Sequence, residues 1–223
     1  MALIGVREAA ERLAISPRRV QQRIEDGTLP AVRVGSQWAI DPARLPLAAP
    51  RSSRPLSPRM AWALLDVLAG VEPTVASTER ARLRTYAERL WSADDPAALL
   101  RAWMARRAER AEFRVAAGDL ADLRDDARLR PSGVSAETSF IVSATFEAYA
   151  VPSDVPSLVD DYFLVPADRQ DGNVVLHVTT VVPDTTAWPV LATDLAEHLG
   201  SRESARANEL VRLAPSGGQE VSP

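Results

Sequence analysis

Arg18, Arg19, Gln21, Gln22 and Arg23 fall within six consecutive residues, and their side chains are of the kinds that read or hold DNA. A guanidinium pairs bidentately with guanine O6 and N7, and a glutamine amide does the same with adenine N6 and N7. Arg18, Arg19, Gln21 and Gln22 are therefore candidate base readers. Arg23 and, further on, Arg33 suit phosphate oxygens, which position a protein without specifying a sequence. Ser16 stands before Pro17, the pairing of an N-cap with the first helical residue, where unpaired backbone N–H groups offer a seat for a phosphate. Ser36 and Gln37, at and after a Gly35-Ser36 turn, complete the candidate contacts.

Other chemistry is poorly supplied. The chain has no Cys, which removes disulfides, thiolate metal sites and thiol nucleophiles, and its two histidines, His177 and His198, barely allow a metal cage. All 26 basic residues are Arg. Without Lys there is no Schiff base, phosphate-loop lysine or Ser-Lys pair. Gly133-Val134-Ser135-Ala136-Glu137 begins like a nucleophile elbow, but Glu137 stands where the second glycine belongs. Asp125-Asp126 and Asp160-Asp161 are adjacent, so on a helix their side chains diverge by about 100° and do not converge on one ion. Neither Gly35-Ser36 nor Gly200-Ser201 is followed by the paired aspartates that hold two Mg²⁺ ions. His177, mid-strand, and His198, near a helix end, read as structural. No catalytic residue, metal or cofactor is expected, and the chain reads as a non-enzyme.

The DNA-facing residues need a scaffold, and residues 1–46 supply one. Val6, Ala9, Ala10 and Leu13 recur at i, i+3, i+4 and i+7, one face of a short helix. A second helix opens at Ser16-Pro17, turns Val20 and Ile24 inward and closes at Gly27, which leaves its Arg and Gln side chains outward. With Ala14 and Ile15 alone between them, the two helices must cross steeply, as in a helix-turn-helix. Residues 31–34 and 37–40 around Gly35-Ser36 read as a two-stranded wing, held against Val20 by Trp38. Asp41-Pro42 opens a short helix through Leu45.

VREAAERLAISPRRVQQRIEDGTLPAVRVGSQWAIDPARL, residues 6–45, resembles the MerR-like, excisionase-type winged helix-turn-helix domain. The resemblance is carried by Glu8-Ala9-Ala10, the Ser16-Pro17-Arg18-Arg19 opening, the Gly27-x-Leu29-Pro30 exit, and Arg33-Val34-Gly35 with Trp38-x-Ile40. It implies that the second helix enters the major groove and the wing rides the sugar-phosphate backbone.

Residues 47–58 form a Pro/Arg linker. Residues 59–111 read as a helical segment: Met60 to Leu68 is apolar almost all round, Thr78 caps a helix striped by Leu83, Tyr86, Leu90 and Trp91, and Pro96 opens another that runs to about Ala111. Residues 112–214 change to short β-prone runs between helices. In them Val174, Leu176 and Val178 alternate with Val175 and His177 as in a half-buried strand, and two helices flank Gly200. Residues 215–223 read as a disordered tail. The expected fold is α+β: an N-terminal winged helix-turn-helix, a helical middle and a C-terminal mixed α+β domain.

RLRPSGVSA, DGNVVLHV and the pair WPVLATDLAEHL and ARANELVRL resemble the C-terminal part of AbiEi-type (type IV) antitoxins. That resemblance implies a nucleotidyltransferase-type toxin as partner and no catalytic residues on this side. Together the two resemblances imply a sequence-specific DNA-binding transcriptional autoregulator acting as the antitoxin of a toxin-antitoxin pair. The alternative is a free-standing regulator or excisionase-like factor whose C-terminal domain only oligomerises.

Charge is unevenly spread. Residues 1–60 carry ten Arg against five acids, and residues 131–223 carry four against thirteen, which suits a polyanionic partner for the first part and a basic one for the last. Asp154, Asp160, Asp161 and Glu197, read as exposed acids, and the apolar Trp188 and Leu191 are the candidate partner contacts. A reading head this small covers few base pairs, so a homodimer on DNA is expected, with Trp62, Leu65, Trp91 and Trp103 as candidate contacts. Absence of a long apolar run or secretory leader reads as a cytoplasmic protein with no membrane partner. The lysine-free, alanine-rich composition points to a GC-rich, actinobacterial genome.

Overall fold

The computed structural model describes residues 3–13, 16–25, 29–35, 37–41, 54–169, 171–198 and 200–214. The chain divides into two compact units, residues 1–53 and 54–223.

The first unit contains β1 (Ile4–Gly5), α1 (Val6–Arg12), α2 (Pro17–Glu25), β2 (Ala31–Val34) and β3 (Gln37–Ile40). Its sheet has the order β1-β3-β2, antiparallel throughout, with Ile4 opposite Ile40 and Arg33 opposite Trp38. Ala9, Ala10 and Leu13 of the first helical segment meet Val20 and Ile24 of the second, and Ile4, Leu29 and Ile40 close the core. The apolar face expected for each helix is thus the buried one. Strand β1 was not expected, because two residues carry no readable alternation. Gly35 adopts φ +63° in the β2–β3 turn, where a side chain would be strained. The expected closure at Gly27, the Ala14-Ile15 turn, the short helix from Asp41-Pro42, most of the linker and the 215–223 tail lie outside the described residues.

The second unit is mixed α and β. Helices α3 (Pro58–Leu68), α4 (Ser77–Trp91) and α5 (Pro96–Met104) come first. Then follow β4 (Glu109–Arg114), α6 (Leu120–Asp125), β5 (Arg130–Pro131), β6 (Phe146–Ala150), α7 (Val155–Tyr162), β7 (Val165–Pro166), β8 (Val174–Val178), α8 (Trp188–Glu197) and α9 (Ser201–Leu213). The five-stranded sheet has the order β5-β6-β8-β4-β7, with β6 and β8 parallel and the other pairs antiparallel. The chain is therefore α+β, with a helix-turn-helix at its N-terminal end.

Three local expectations change. The third helix ends at Met104 rather than near Ala111, because Glu109–Arg114 is taken up as the strand beside β8. At the start of α4 it is Glu79, not Thr78, that does the capping, its Oε2 accepting from the Ala76 N–H (3.1 Å). Strand β8 is buried on both faces rather than one. Val174 and Leu176 join Phe146, Ala148, Leu123 and Leu158 in a core under α6 and α7, whereas Tyr149 on the opposite face belongs to a larger core formed with α3, α4, α5, α8 and α9. Helices on both sides explain why a strand with a polar residue in its second stripe is central. Leu65 and Trp103 lie inside that larger core, so these two candidate dimer contacts are intramolecular, while Trp62 and Trp91 are partly buried against it.

Candidate nucleic-acid interface

Helix α2 is set by its first turn. The Ser16 carbonyl accepts from the N–H groups of Arg19 (2.9 Å) and Val20 (3.2 Å), and its hydroxyl accepts from Arg19 as well (3.3 Å). Ser16 is thus an N-cap whose hydroxyl is already engaged. Val20 and Ile24 are buried. At about 100° per residue the stripe opposite them holds Arg18, Gln22 and Glu25, all exposed, with Arg19 and Gln21 exposed on its flanks. Arg19 Nη1 donates to Gln22 Oε1 (3.0 Å), so these two side chains form a preassembled pair. Among the described residues neither Arg18 nor Arg19 is in an ion pair, and both sit at the helix N-terminus, where the backbone adds partial positive charge. Arg23 is half-buried, and its carbonyl accepts from the Leu29 N–H (2.9 Å), which fixes the exit of the chain from the helix.

Sequence reasoning passed over Glu25. Its carboxylate shares the outward stripe with Arg18 and Gln22, which suits an accepting contact to a cytosine amino group and opposes contact with a phosphate. Periodicity alone reveals it.

On the hairpin, Arg33 and Gln37 are exposed. The Arg33 guanidinium lies over the Trp38 ring, 5.8 Å from its centroid, so the half-buried Trp38 both seals the core and orients a cation. Val32 and Val34 are also exposed beside Arg33. Ser36 lies outside the described residues.

Residues 3–45 match the family model of a helix-turn-helix domain. The match spans β1, α1, α2 and the hairpin, so the α1–α2 pair is a helix-turn-helix and the first unit carries a DNA-binding domain of the kind found in regulators. No curated protein and no solved structure is significantly similar to the chain. Among the described residues no helix is long and apolar enough to cross a membrane.

The six candidate partner contacts do not form one patch. Asp160 and Asp161 are exposed on α7, where Asp161 Oδ2 accepts from Arg128 Nη1 (2.8 Å), and Asp154 is half-buried before that helix. Trp188 and Leu191 are on α8, which packs on the opposite face of the sheet from α7. Leu191 is 2% exposed and belongs to the core rather than to a surface. Glu197, read as an exposed acid, is largely buried and bridges Arg107 and Arg110. It faces inward because α8 is buried along almost its whole length, down to Ala196.

Glu197 leads to a feature that the sequence reading missed. Arg107, Ser132, Glu147, Tyr149, His177 and Asp194 are all buried between the sheet and α8. Arg107 Nη2 donates to Asp194 Oδ1 (2.5 Å), its Nε donates to the Tyr149 hydroxyl (3.1 Å), and its Nη1 is paired with Glu197. Asp194 also accepts from the Tyr149 hydroxyl (2.8 Å) and from Ser132 Oγ. Glu147 accepts from the Val134 N–H (2.9 Å) and faces Nε2 of both His177 (2.7 Å) and His198 (2.9 Å). His177 Nδ1 faces Arg107 Nη2 (3.4 Å), so it accepts there and the Nε2–H is directed at Glu147.

These neighbours set the protonation of the cluster. Burial pushes the Asp194 carboxyl up, against the pull of Arg107. Burial would also raise Glu147, but its hydrogen bonds to His177 and His198 outweigh that and hold it well below the usual carboxylate range. Burial would lower His198, yet the Glu147 contact holds its imidazolium above the ordinary histidine value. The available signal was faint: Glu147 and His177 each interrupt an otherwise apolar strand, and Arg107 stands unmarked in an arginine-rich run.

Proposed function

We propose that the chain is a sequence-specific DNA-binding regulator in which α2 reads the major groove and the β2–β3 hairpin follows the backbone. Arg18, Arg19, Gln21, Gln22 and Glu25 are its base-facing residues, and Arg33 and Gln37 are backbone contacts. What carries this is one coincidence: the stripe of Arg and Gln opposite the buried Val20 and Ile24 falls inside the matched helix-turn-helix. The MerR-like, excisionase-type resemblance agrees with that placement. Because a single head contacts few base pairs, the DNA-bound form is proposed to be a homodimer on paired half-sites. The test is selection from a random duplex pool by the full chain, followed by light scattering of the complex. An enriched motif with two half-sites and a two-chain mass supports the proposal, whereas a pool without enrichment overturns it.

As a second reading, residues 54–223 neutralise a nucleotidyltransferase-type toxin and the chain represses its own promoter. The acidity of residues 131–223 favours it. Three of those acids, Glu147, Asp194 and Glu197, are buried or largely so and matched by Arg or His, so less charge is left to steer a basic partner, and the regulator reading stands first. Co-expression decides: the full chain should rescue growth from the adjacent gene's product, and a product harmless by itself removes the antitoxin role. No enzymatic activity is part of the proposal.

A further inference from the structure

Between Ser139 and β6 the chain runs through Phe140-Ile141-Val142-Ser143-Ala144-Thr145 outside any helix or strand, and its burial alternates residue by residue. Phe140, Val142 and Ala144 are exposed, while Ile141, Ser143 and Thr145 are half-buried. A period of two belongs to extended chain lying on a surface. Its polarity is inverted. A half-buried strand ordinarily turns apolar side chains inward and polar ones to water, whereas here the outward stripe is wholly apolar, with Phe140 81% and Val142 88% exposed. Ile141, packed against the larger core, anchors the segment.

Two further features mark this segment as one that meets a partner. Phe140 sits at φ +56°, in the left-handed region that a bulky side chain rarely occupies. Arg206 steadies the exposed ring, its guanidinium 5.2 Å from the centroid while Nη2 donates to the Thr138 carbonyl (3.1 Å). The N–H groups of Val142, Ser143 and Ala144 make no hydrogen bond among the described residues. Exposed β-prone runs are normally guarded by charge or proline, because free backbone groups beside apolar side chains invite another strand. From Thr138 to Phe146 the chain has neither. The comparable exposed pair, Phe163 and Val165, is guarded, with Asp160 and Asp161 just before it and Pro166 just after.

A second copy of the chain fits these features. An antiparallel strand pair closes on itself about a two-fold axis, so one segment supplies both the apolar stripe and the matching backbone groups. With four Arg against thirteen acids in residues 131–223, two copies meet with least repulsion at a stretch that carries no charge. We infer that residues 140–144 pair antiparallel with the same residues of a second copy, about an axis at Val142, with Phe140 and Val142 packed across the seam. This is the dimer that paired half-sites call for, and its role on DNA rests on that reading. A standard interface covers about 800 Å² per partner, more than one short segment supplies, so the free chain should associate with a dissociation constant on the order of 10 μM.

Sedimentation velocity of the full chain without DNA, from about 1 to 200 μM, tests this. A reversible monomer–dimer equilibrium is expected. Val142→Asp puts a charge in the seam, and Phe140→Gly removes the ring while relieving the left-handed backbone; each should weaken association about tenfold or more without lowering the melting temperature. Because the chain has no Cys, Val142→Cys introduces a single thiol, which should cross-link to a dimer on mild oxidation far faster than that of Asp160→Cys on the exposed side of α7. A monomeric mass over the whole range, association undiminished in Val142→Asp, or cross-linking of Val142→Cys no faster than that of Asp160→Cys would overturn the inference. None of these measurements uses DNA, so they fail or succeed independently of whether α2 reads sequence.

Discussion

Replacing Arg107 with Met strips the buried cluster of its central cation while keeping most of the aliphatic stem. In the folded protein this guanidinium donates to Asp194 and Tyr149 and pairs with Glu197. Without it, Asp194 remains buried beside Glu147 and Glu197 with no guanidinium. Removing one member of a buried ion pair typically costs about 3–5 kcal/mol, against total stabilities of about 5–15 kcal/mol. For a unit of this size that corresponds to a fall in Tm of about 6–20 °C. Urea unfolding followed by tryptophan fluorescence suits the measurement, since four of the five Trp are in the second unit and Trp62 Nε1 donates to the Arg107 carbonyl (2.9 Å). Asp194→Asn removes the facing charge, so the double variant should cost less than the sum of the singles by about 1 kcal/mol or more. A cost below about 1 kcal/mol for Arg107→Met, or strict additivity, would refute the view that these charges stabilise one another.

Gly133→Ala should destabilise the second unit by about 2 kcal/mol or more, since φ is +51° there and a Cβ would overlap the Glu147 carboxylate; a thermal melt checks it. Glu147 and Glu197 are held below their ordinary values, so their contribution is present above about pH 4.5 and lost as pH falls, whereas that of the raised His198 is present below about pH 6.5 and lost as pH rises through its folded value. Tm should therefore peak at mildly acidic pH, and His198→Gln should flatten the alkaline limb of the profile. Leu158→Ala should cost about 2–5 kcal/mol in urea unfolding, because Leu158 is fully buried under the sheet, while Asp160→Ala on the exposed side of the same helix should stay within about 0.5 kcal/mol.

The elements legible in the sequence were those with a repeated period and clear punctuation. Ala9, Ala10 and Leu13 announce α1, Ser16-Pro17 opens α2, and Gly35 marks the hairpin, so the DNA-facing stripe followed from counting residues. Strand β1 was hidden because Ile4 and Gly5 pair with β3 only once the hairpin exists. Arg107 was indistinguishable from its neighbour Arg106, since only tertiary packing decides that one is exposed and the other is enclosed by Tyr149, Asp194 and Glu197. Val175 and His177 suggest a solvated second face of the sheet because their own strand does not show that α8 covers it. Glu197 was misplaced for the same reason. Polar side chains that satisfy one another across elements leave no mark in the hydrophobic period of any one of them.

The central claim, that α2 specifies sequence and the hairpin holds the backbone, is tested most directly by comparing Arg19→Ala with Arg33→Ala. Fluorescence anisotropy would titrate the full chain against its selected site and against single-base variants of that site over a range of salt. Arg19→Ala should lose about 1–3 kcal/mol on the selected site and cease to discriminate at one base pair, with the paired Gln22 disturbed as well. Arg33→Ala should weaken all sequences alike and reduce the salt slope by about one. Equal losses on every sequence for Arg19→Ala, or no dependence on either residue, would contradict the assignment of α2 as the reading helix.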